Sequence, residues 1–571
     1  MSMKNLDVVC ILNNIATLLE FQGVEFKPRA YRRAAQSIED LSEDINEIYR
    51  QGKLEEIPGV GKHIAEKITE IITTGKLKYY EDLRKEVKID IEQLSQIPSL
   101  GPKKIQLLYK NLHIRTLADL ERAVQQQKIR TLPGFGEESE KKIAAGLQFL
   151  KSKPKRFLYA QALPYVLQIK NALEACPDVE KVEVAGSFRR GRETVGDLDF
   201  LAVSPQPQKV MKFFTTLPDT IEVLARGDTK SSIRLSNGLQ VDLRVVQEKE
   251  FGSAMNYFIG SKEHNVALRT YALTKGYTLS EYGLFRVKGR KWVAGRTEED
   301  IYQKLKMTYI EPELRENTGE IEAALQGRLP KLIEKNDIKG IFHHHSTWSD
   351  GNSSLLEMAQ EAERLGFEFI SFNDHFGPIG ITNPLNEKRL AGYLREIEQV
   401  RKKARIKVLS GVEIDIMKDG TLPLSAEKLC QLDVVIASVH LSTSMPEEQM
   451  TQRVDYALEH YPINILGHPT DRLINERPPL QLNLEKVFAV ARRKGVFLEI
   501  NASSQRTDLP WNLIKAAKEK GCRFALSTDA HDTTHLQGYK YGVLNARRGW
   551  LEAKEVLNCW SWEKIKKALK R

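Results

Sequence analysis

The sequence predicts a multidomain protein in three parts: an all-α N-terminal segment, an α+β middle segment and a C-terminal (β/α) barrel. Three observations lead there. One helical corner is written three times in the first 150 residues, an Asp-x-Asp pair sits in a strand-like run near residue 197, and beyond residue 337 short apolar runs alternate with amphipathic stretches.

The repeated corner reads Ile57-Pro-Gly-Val-Gly-Lys-His-Ile-Ala-Glu-Lys-Ile68, then Ile97-Pro-Ser-Leu-Gly-Pro-Lys-Lys-Ile-Gln-Leu-Leu108, then Leu132-Pro-Gly-Phe-Gly-Glu-Glu-Ser-Glu-Lys-Lys-Ile143. In each, an apolar residue and Pro end one helix, a glycine turn follows, and a second helix begins with its first N–H groups free. Those groups and the helix dipole hold a backbone phosphate without reading the base. This is the grammar of the helix-hairpin-helix motif, and it assigns DNA contacts to Gly59, Gly61 and Lys62 in the first copy and to Gly101 and Lys103 in the second. Ser99 replaces the first glycine of the second copy, and Glu137 and Glu138 suit the third to a structural or protein contact. Ahead of the repeats, Val8, Ile11, Leu12, Ile15, Leu18 and Leu19 follow a helical period.

In the middle segment, Gly186 to Asp199 read Gly-Ser-Phe-Arg-Arg-Gly-Arg-Glu-Thr-Val-Gly-Asp-Leu-Asp. A strand sends residues i and i+2 to one face, so Asp197 and Asp199 point together. Asp242 lies in a similar run, Leu-Gln-Val-Asp-Leu-Arg-Val-Val. Three convergent carboxylates hold two Mg²⁺ ions roughly 3.5–4 Å apart, a spacing suited to phosphoryl transfer. Gly186, Ser187 and Arg190 in the preceding turn are then placed for phosphate oxygens.

Residues 316 to 335 read as a polar, mostly helical connector interrupted by Gly327 and Pro330. After it come apolar runs at 367–372, 407–412, 434–439, 463–466, 496–500 and 523–527, alternating with helical patterns as in a barrel with a parallel sheet. Barrel active sites lie at the C-terminal strand ends, and nine of the 12 histidines fall beyond residue 342. Six histidines and three carboxylates form a ladder at these ends: His343, His345, Asp350, His375, Glu413, His440, His468, Asp529 and His531. His343 and His345 share a strand face, leaving His344 on the other. Imidazole with carboxylate suits Zn²⁺, Mn²⁺ or Fe²⁺, and nine ligands suffice for three ions.

The glycine-rich turn with its carboxylates, together with Tyr257-Phe258-Ile259-Gly260-Ser261, resembles the nucleotidyltransferase signature of family X DNA polymerases. The resemblance implies an α+β palm with a thumb, in which Asp197, Asp199 and Asp242 bind Mg²⁺ or Mn²⁺ and Asp242 also draws the primer hydroxyl's proton. Gly186, Ser187, Arg190 and Gly196 would bind the triphosphate. Tyr257, Phe258 and Gly260 would lie under the incoming sugar, and Asn265 and Arg269 on minor-groove and template contacts. The first helical domain resembles the lyase-like domain of the same family, where Lys67 aligns with a Schiff-base lysine; His63 stands where a second lysine would help bind a 5′-phosphate. The histidine ladder resembles the polymerase and histidinol phosphatase (PHP) domain, a distorted (β/α) barrel with a trinuclear metal site. It implies all nine ladder residues as ligands, with Asp374 and Asp532 supporting them and Arg472 and Arg506 available to substrate phosphate.

The order of parts resembles bacterial and archaeal family X polymerases with a C-terminal PHP domain. The expected division is a lyase-like domain at 1–80, a fingers-like hairpin domain at 81–150, palm at 151–250, thumb at 251–315, linker at 316–336 and PHP domain at 337–571. The implied function is filling of short DNA gaps in repair, with a metal-dependent 3′–5′ exonuclease or phosphoesterase in the barrel and cleavage at abasic sites. The alternatives are a polymerase with a purely structural barrel, or a non-catalytic DNA-binding scaffold. The partners expected are gapped or nicked DNA and deoxynucleoside triphosphates, with no membrane, acting as a monomer.

Composition agrees with several folded domains. The 571 residues carry a net charge of +10 and are 41% hydrophobic, which fits a polyanionic partner without demanding one. No apolar run approaches the roughly 20 residues of a membrane span, and Met-Ser-Met-Lys-Asn-Leu-Asp is no signal peptide, so a cytoplasmic location is expected. The five cysteines form no Cys-x-x-Cys pair, which argues against a disulfide framework or thiolate zinc site.

Overall fold

Apolar residues at helical spacing organise the first part of the chain. The computed structural model describes residues 5–570 apart from 25, 40–44, 88, 95, 96, 98, 99, 138, 142, 145, 146, 148–155, 379–381, 444 and 476. Ser99, Glu138, the Lys103 side chain and the boundary expected at residue 150 therefore lie outside the described residues. The chain forms two compact units, Met1–Lys155 and Arg156–Arg571.

In the first unit, helix Asn5–Phe21 buries Val8, Leu12, Ile15 and Leu19 as it packs on helices Lys27–Glu39 and Pro102–Leu112. One apolar cluster continues through Ile68, Ile71, Leu83, Leu94 and Ile105 to Leu147, so the division expected at residue 80 falls inside a single core. The first hairpin turns at Gly59, whose φ of 84° is in the left-handed region. A Cβ there would press within 2.9 Å of the Arg33 side chain. Gly61 caps helix Lys62–Thr74, which buries Ile64, Ala65, Ile68 and Ile71 and stops where Gly75, at φ 71°, donates to the Ile71 carbonyl. Gly101 caps the equivalent helix of the second copy, Pro102–Leu112. The third copy is closed internally. Glu140, 2% exposed, accepts from the Ile129 and Arg130 amides, each at 2.9 Å, and from the Arg130 guanidinium at 2.5 Å.

The second unit opens with a five-stranded sheet in the order Lys181–Val184, Asp197–Val203, Gln240–Val246, Lys230–Leu235, Thr220–Arg226. Leu198 and Phe200 face the core beneath helices Tyr159–Glu174 and Pro207–Phe214, which leaves Asp197 and Asp199 on the opposite face. A three-stranded antiparallel sheet, Tyr277–Ser280, Gly283–Arg286 and Trp292–Ala294, follows with its own apolar core. The connector expected at 316–336 is a packed seam. Ile321, Ala324 and Leu332 belong to this smaller core, against which Trp550 packs, while Ile333 and Ile338 belong to the next one. Each large apolar side chain so buried contributes roughly 1.5–3 kcal/mol, which outweighs the polar character of the segment.

The C-terminal sheet has nine strands, all paired in parallel, ordered His375–Phe376, Gly411–Asp415, Val434–Ser438, Ile465–Leu466, Phe497–Asn501, Phe524–Ala530, Gly340–His344, Phe369–Ser371, Lys407–Leu409. The run expected at 407–412 breaks in two. Its first half pairs with Phe369–Ser371 and its second with Val434–Ser438, so the curled sheet stays open instead of closing into a ring. Gly411 stands at the break because a Cβ there would collide with the Val434 carbonyl.

Candidate active sites

The palm site is assembled by strand register. Strand Asp197–Val203 pairs in parallel with Gln240–Val246, and the register sets Asp199 directly beside Asp242. Lys230 Nζ lies 3.3 Å from Asp242 Oδ2, and Gln240 Nε2 donates to Asp242 Oδ1 at 2.9 Å. Burial and the neighbouring carboxylates Asp197 and Asp242 push the Asp199 carboxyl up to about 7; burial and Asp242 raise Asp197 in the same direction. Anionic groups gathered in this way call for a cation. Gly186, at φ 62°, lies against Asp199 so closely that any Cβ would strike its carboxylate. The next side-chain hydroxyl, Ser187 Oγ, is buried without a hydrogen-bond partner among the described residues.

Arg190, expected at the phosphate oxygens, is also engaged by protein groups. Its side chain is buried, and a guanidinium out of water must be paired. Nε donates to Glu316 Oε1 at 3.1 Å, and Nη1 donates to the Ile259 carbonyl. Arg548 meets the same Glu316 oxygen at 3.0 Å and donates to the Arg190 carbonyl at 2.7 Å. Arg190 is thus a tie between palm, thumb and barrel. Gly196 precedes Asp197 with Arg156 Nη1 3.4 Å from where its Cβ would be. Tyr257, Asn265 and Arg269 line one small recess. Asn265 Nδ2 donates to the Tyr257 carbonyl at 2.6 Å, while Asn265 Oδ1 and Arg269 Nε are buried without hydrogen-bond partners among the described residues. The Phe258 ring lies edge-on to Tyr257 at 5.0 Å, under the Arg244 guanidinium at 4.4 Å, and Gly260 closes helix Phe251–Ile259 at φ 69°.

In the barrel, Glu413 is the hub. Five imidazoles meet its carboxylate: His343 at 3.3 Å, His345 at 3.6 Å, His375 at 3.0 Å, His440 at 3.4 Å and His468 at 2.9 Å. His345 Nε2 is 3.2 Å from Asp529, and His531 Nε2 is 3.3 Å from Asp350. Three groups have ligand atoms within 4.8 Å of one another: His345 with Asp350, His375 and His531; His343 with His345 and Asp529; and His375 with Glu413 and His440. Among the described residues no three palm carboxylates gather as closely. His343 Nε2, both ring nitrogens of His345, His375 Nδ1 and His468 Nδ1 are buried without hydrogen-bond partners among the described residues. Orphaned imidazole nitrogens converging on carboxylates form a donor set that fits divalent metal ions. Burial works against charge on His440 and His531, but Glu413 and Asp415 push the first up to about 10, and Asp350 and Asp529 push the second up to about 9. His343 at φ 64° and Asp529 at φ 50° stand in the left-handed region at a register shift between their strands, strain of roughly 1–3 kcal/mol each that the surrounding sheet must hold.

The imidazoles are oriented by residues absent from the sequence reading. Glu499, fully buried, accepts from His343 Nδ1 at 2.5 Å, from Ser527 Oγ at 2.6 Å and from the His468 amide, and so leaves His343 Nε2 facing Glu413. Asp415 does the same for His440 Nδ1 at 3.0 Å. Asp415 follows Glu413 by two on one strand, a signal available in the sequence; Glu499 lies on another strand and gave none. Asp374 and Asp532 instead order loops. Asp374 accepts from Ser346 and Ser349, both amides and both hydroxyls, and Asp532 from Thr534. Arg472 is paired with Glu193 of the palm, and Arg506 with Asp471 at 2.6 Å.

In the N-terminal unit, Lys67 Nζ lies 4.8 Å from the centroid of the Tyr79 ring and 3.5 Å from the His63 carbonyl. His63 is exposed, 3.5 Å from Glu66.

Comparison with known proteins agrees with these parts. Family models match as a helix-hairpin-helix domain over residues 3–77, a SAM-like helix-hairpin-helix tandem over 52–112 and 91–148, a DNA polymerase beta thumb over 254–316 and a PHP domain over 342–503. The chain is 36% identical over 573 residues, all of both proteins, to a DNA polymerase/3′-5′ exonuclease PolX of Bacillus subtilis (strain 168). It belongs to the bacterial family X DNA polymerases with a PHP domain. Two further relatives cover parts of this family X chain. DNA polymerase lambda of Rattus norvegicus is 27% identical over 340 residues, 55% of this chain and 56% of the relative. A probable phosphatase of Thermoanaerobacter sp. (strain X514) is 30% identical over 240 residues, 40% of this chain and 93% of the relative. No helix among the described residues of this polymerase is long and apolar enough to cross a membrane.

Proposed function

We propose that this family X polymerase fills short gaps in DNA from its palm and trims 3′ ends from its barrel, acting as a cytoplasmic monomer on gapped or nicked repair intermediates. The observation that carries the first half is the register of Asp199 beside Asp242, with Asp197 two residues away on the same face. The observation that carries the second is the buried Glu413 met by five imidazoles.

Asp197, Asp199 and Asp242 would hold Mg²⁺ or Mn²⁺ in the palm, and the nine barrel residues a cluster of three Mn²⁺, Zn²⁺ or Fe²⁺ ions. When bound, such ions supply Lewis acidity and charge compensation for phosphoryl transfer and hydrolysis. The chain's own residues do the rest. Asp242 accepts the proton of the primer 3′-hydroxyl, and Gly186 leaves open the space beside Asp199. Ser187, with its unpartnered buried hydroxyl, donates to a triphosphate oxygen. Gly196 keeps the turn before Asp197 free of a side chain. Arg190, tied to Glu316, acts by fixing the phosphate-facing turn. Tyr257, Phe258 and Gly260 form the floor under the sugar, and the free polar atoms of Asn265 and Arg269 face the minor groove. Gly59, Gly61, Lys62, Gly101 and Lys103 present helix starts to backbone phosphates. In the barrel, Glu499 and Asp415 fix the rings of His343 and His440, so that the ligand set is preorganised. Cleavage at abasic sites would use the same barrel residues.

A crossover tests this. His343→Ala or Asp529→Ala should lose Mn²⁺-dependent 3′ to 5′ degradation and keep gap filling, whereas Asp197→Ala with Asp199→Ala should do the reverse. Degradation that survives loss of both His343 and Asp529, or that vanishes with the palm carboxylates alone, would overturn the assignment of an independent nuclease centre.

A further inference from the structure

The barrel ligands Asp529 and His531 stand in the wall of a cleft of about 950 Å³ that the barrel does not form alone. It is also lined by the palm helix Tyr159–Glu174, through Tyr159 and Leu163. Tyr159 is braced by stacking on Phe188 at 4.3 Å and meets Tyr541 edge-on at 5.9 Å. The cleft is also lined by Lys335 and Lys540, both exposed and, among the described residues, both without an ion-pair partner. The same two lysines line an adjoining depression of about 400 Å³, which Glu334 and the Arg547–Glu313 ion pair also line, so the unpaired cations stand at the junction of the two.

Resting on the reading of the barrel as a nuclease, we propose that this cleft is the binding track for a single-stranded 3′ end of DNA, built jointly by palm and barrel. The terminal phosphodiester lies at Asp529 and His531, a base packs against Tyr541, and Lys335 and Lys540 hold the phosphates behind it. Single strands are bound by this combination: aromatic faces for bases, which every base satisfies, and cations along the backbone. The volume lies near the top of the roughly 300–1,000 Å³ of small-molecule sites, which leaves room for more than one nucleotide. Hydrolysis there adds the hydroxide of a water to phosphorus and its proton to the leaving O3′, releasing a 5′-mononucleotide and a strand ending in a new 3′-hydroxyl. The palm therefore has two duties, chemistry on one face of its sheet and a wall for the nuclease behind helix Tyr159–Glu174.

The test uses the full chain and a short 3′-overhang oligonucleotide. Lys335→Ala with Lys540→Ala should raise KM with little change in kcat and lower the log–log salt dependence of KM by about 0.7 per lysine. Tyr541→Ala should raise KM roughly 5- to 150-fold, the range of one lost base stack. The preference for the oligonucleotide over bis(p-nitrophenyl) phosphate should fall by the same factors. Unchanged KM in both variants would overturn the track. A second readout needs no turnover. With chelator present, an oligonucleotide ending in 4-thiothymidine should photocrosslink to peptides containing Tyr541 or residues 503–506. Crosslinks confined to other regions would overturn the track, while crosslinks in the cleft of a protein that degrades no DNA would retain it and reject the nuclease reading.

Discussion

Arg472 of the barrel closes a two-bonded ion pair on Glu193 of the palm, 279 residues away, at 3.1 and 2.7 Å. The same guanidinium donates to the carbonyls of Arg506 at 2.9 Å and Thr507 at 2.6 Å. Arg506 in turn pairs with Asp471 and lies 3.7 Å from Asp529. A polar line thus runs from the turn behind the palm carboxylates to the barrel ligands, and planar bidentate pairing suits arginine to its start.

Arg472→Ala should loosen this seam. It leaves Glu193 and two carbonyls without donors, a loss of about 1–3 kcal/mol, read as earlier thermal unfolding of the Arg156–Arg571 unit. Glu193→Gln keeps one acceptor and should cost less. Equal melting of wild type and Arg472→Ala would show that the pair is solvated and carries no stability.

Glu499→Gln should weaken barrel metal binding roughly 10- to 100-fold, because the carboxylate that holds the Nδ1 proton of His343 is gone. Mn²⁺ titration by calorimetry reads the effect directly. Gap filling should be unaffected, and undiminished Mn²⁺ affinity would remove Glu499 from this role.

The thumb contains a pH-sensitive pair. His264 Nδ1 donates to Glu320 Oε1 at 2.7 Å, and Glu320 also accepts from the amides of Asn317 and Thr318. Burial holds His264 below its ordinary 6.5; for Glu320 burial acts upward, but the hydrogen bonds hold the carboxyl below 4.5. Both folded values lie under the unfolded ones, so the unfolded chain binds more protons and stability drops as the pH is lowered. For His264 the contribution is complete above about pH 6.5 and declines below it, by at most about 1.4 kcal/mol per pH unit. His264→Leu should therefore flatten thumb stability between pH 6.5 and 5 in hydrogen-exchange measurements. A slope identical to wild type would assign the dependence elsewhere.

Lys67 should trap weakly with borohydride on a 5′-deoxyribose-phosphate substrate. The neighbouring position that would hold the 5′-phosphate is His63, facing Glu66 at 3.5 Å, and a carboxylate repels that phosphate. Strong trapping that disappears in Lys67→Ala would establish an efficient lyase in this domain.

The sequence by itself determined the fold classes and the residue types that bear chemistry. Apolar spacing at 3.6 predicted the buried face of helix Asn5–Phe21, and the thrice-repeated proline and glycine corner predicted the hairpins. The Asp-Leu-Asp run announced a strand with two carboxylates on one face, and each of the six apolar runs after residue 366 overlaps a strand. These are local properties, set by which side chains recur on one face of one element. Tertiary structure decided everything that depends on which element lies beside which. No local pattern could place Glu499 against His343, bring Glu193 to Arg472, turn Arg190 toward Glu316 or split 407–412 between two sheet edges. Those partners are separated by 126 to 279 residues in the three side-chain pairs, and they meet only because strand order and packing of the palm against the barrel bring them within a few ångströms.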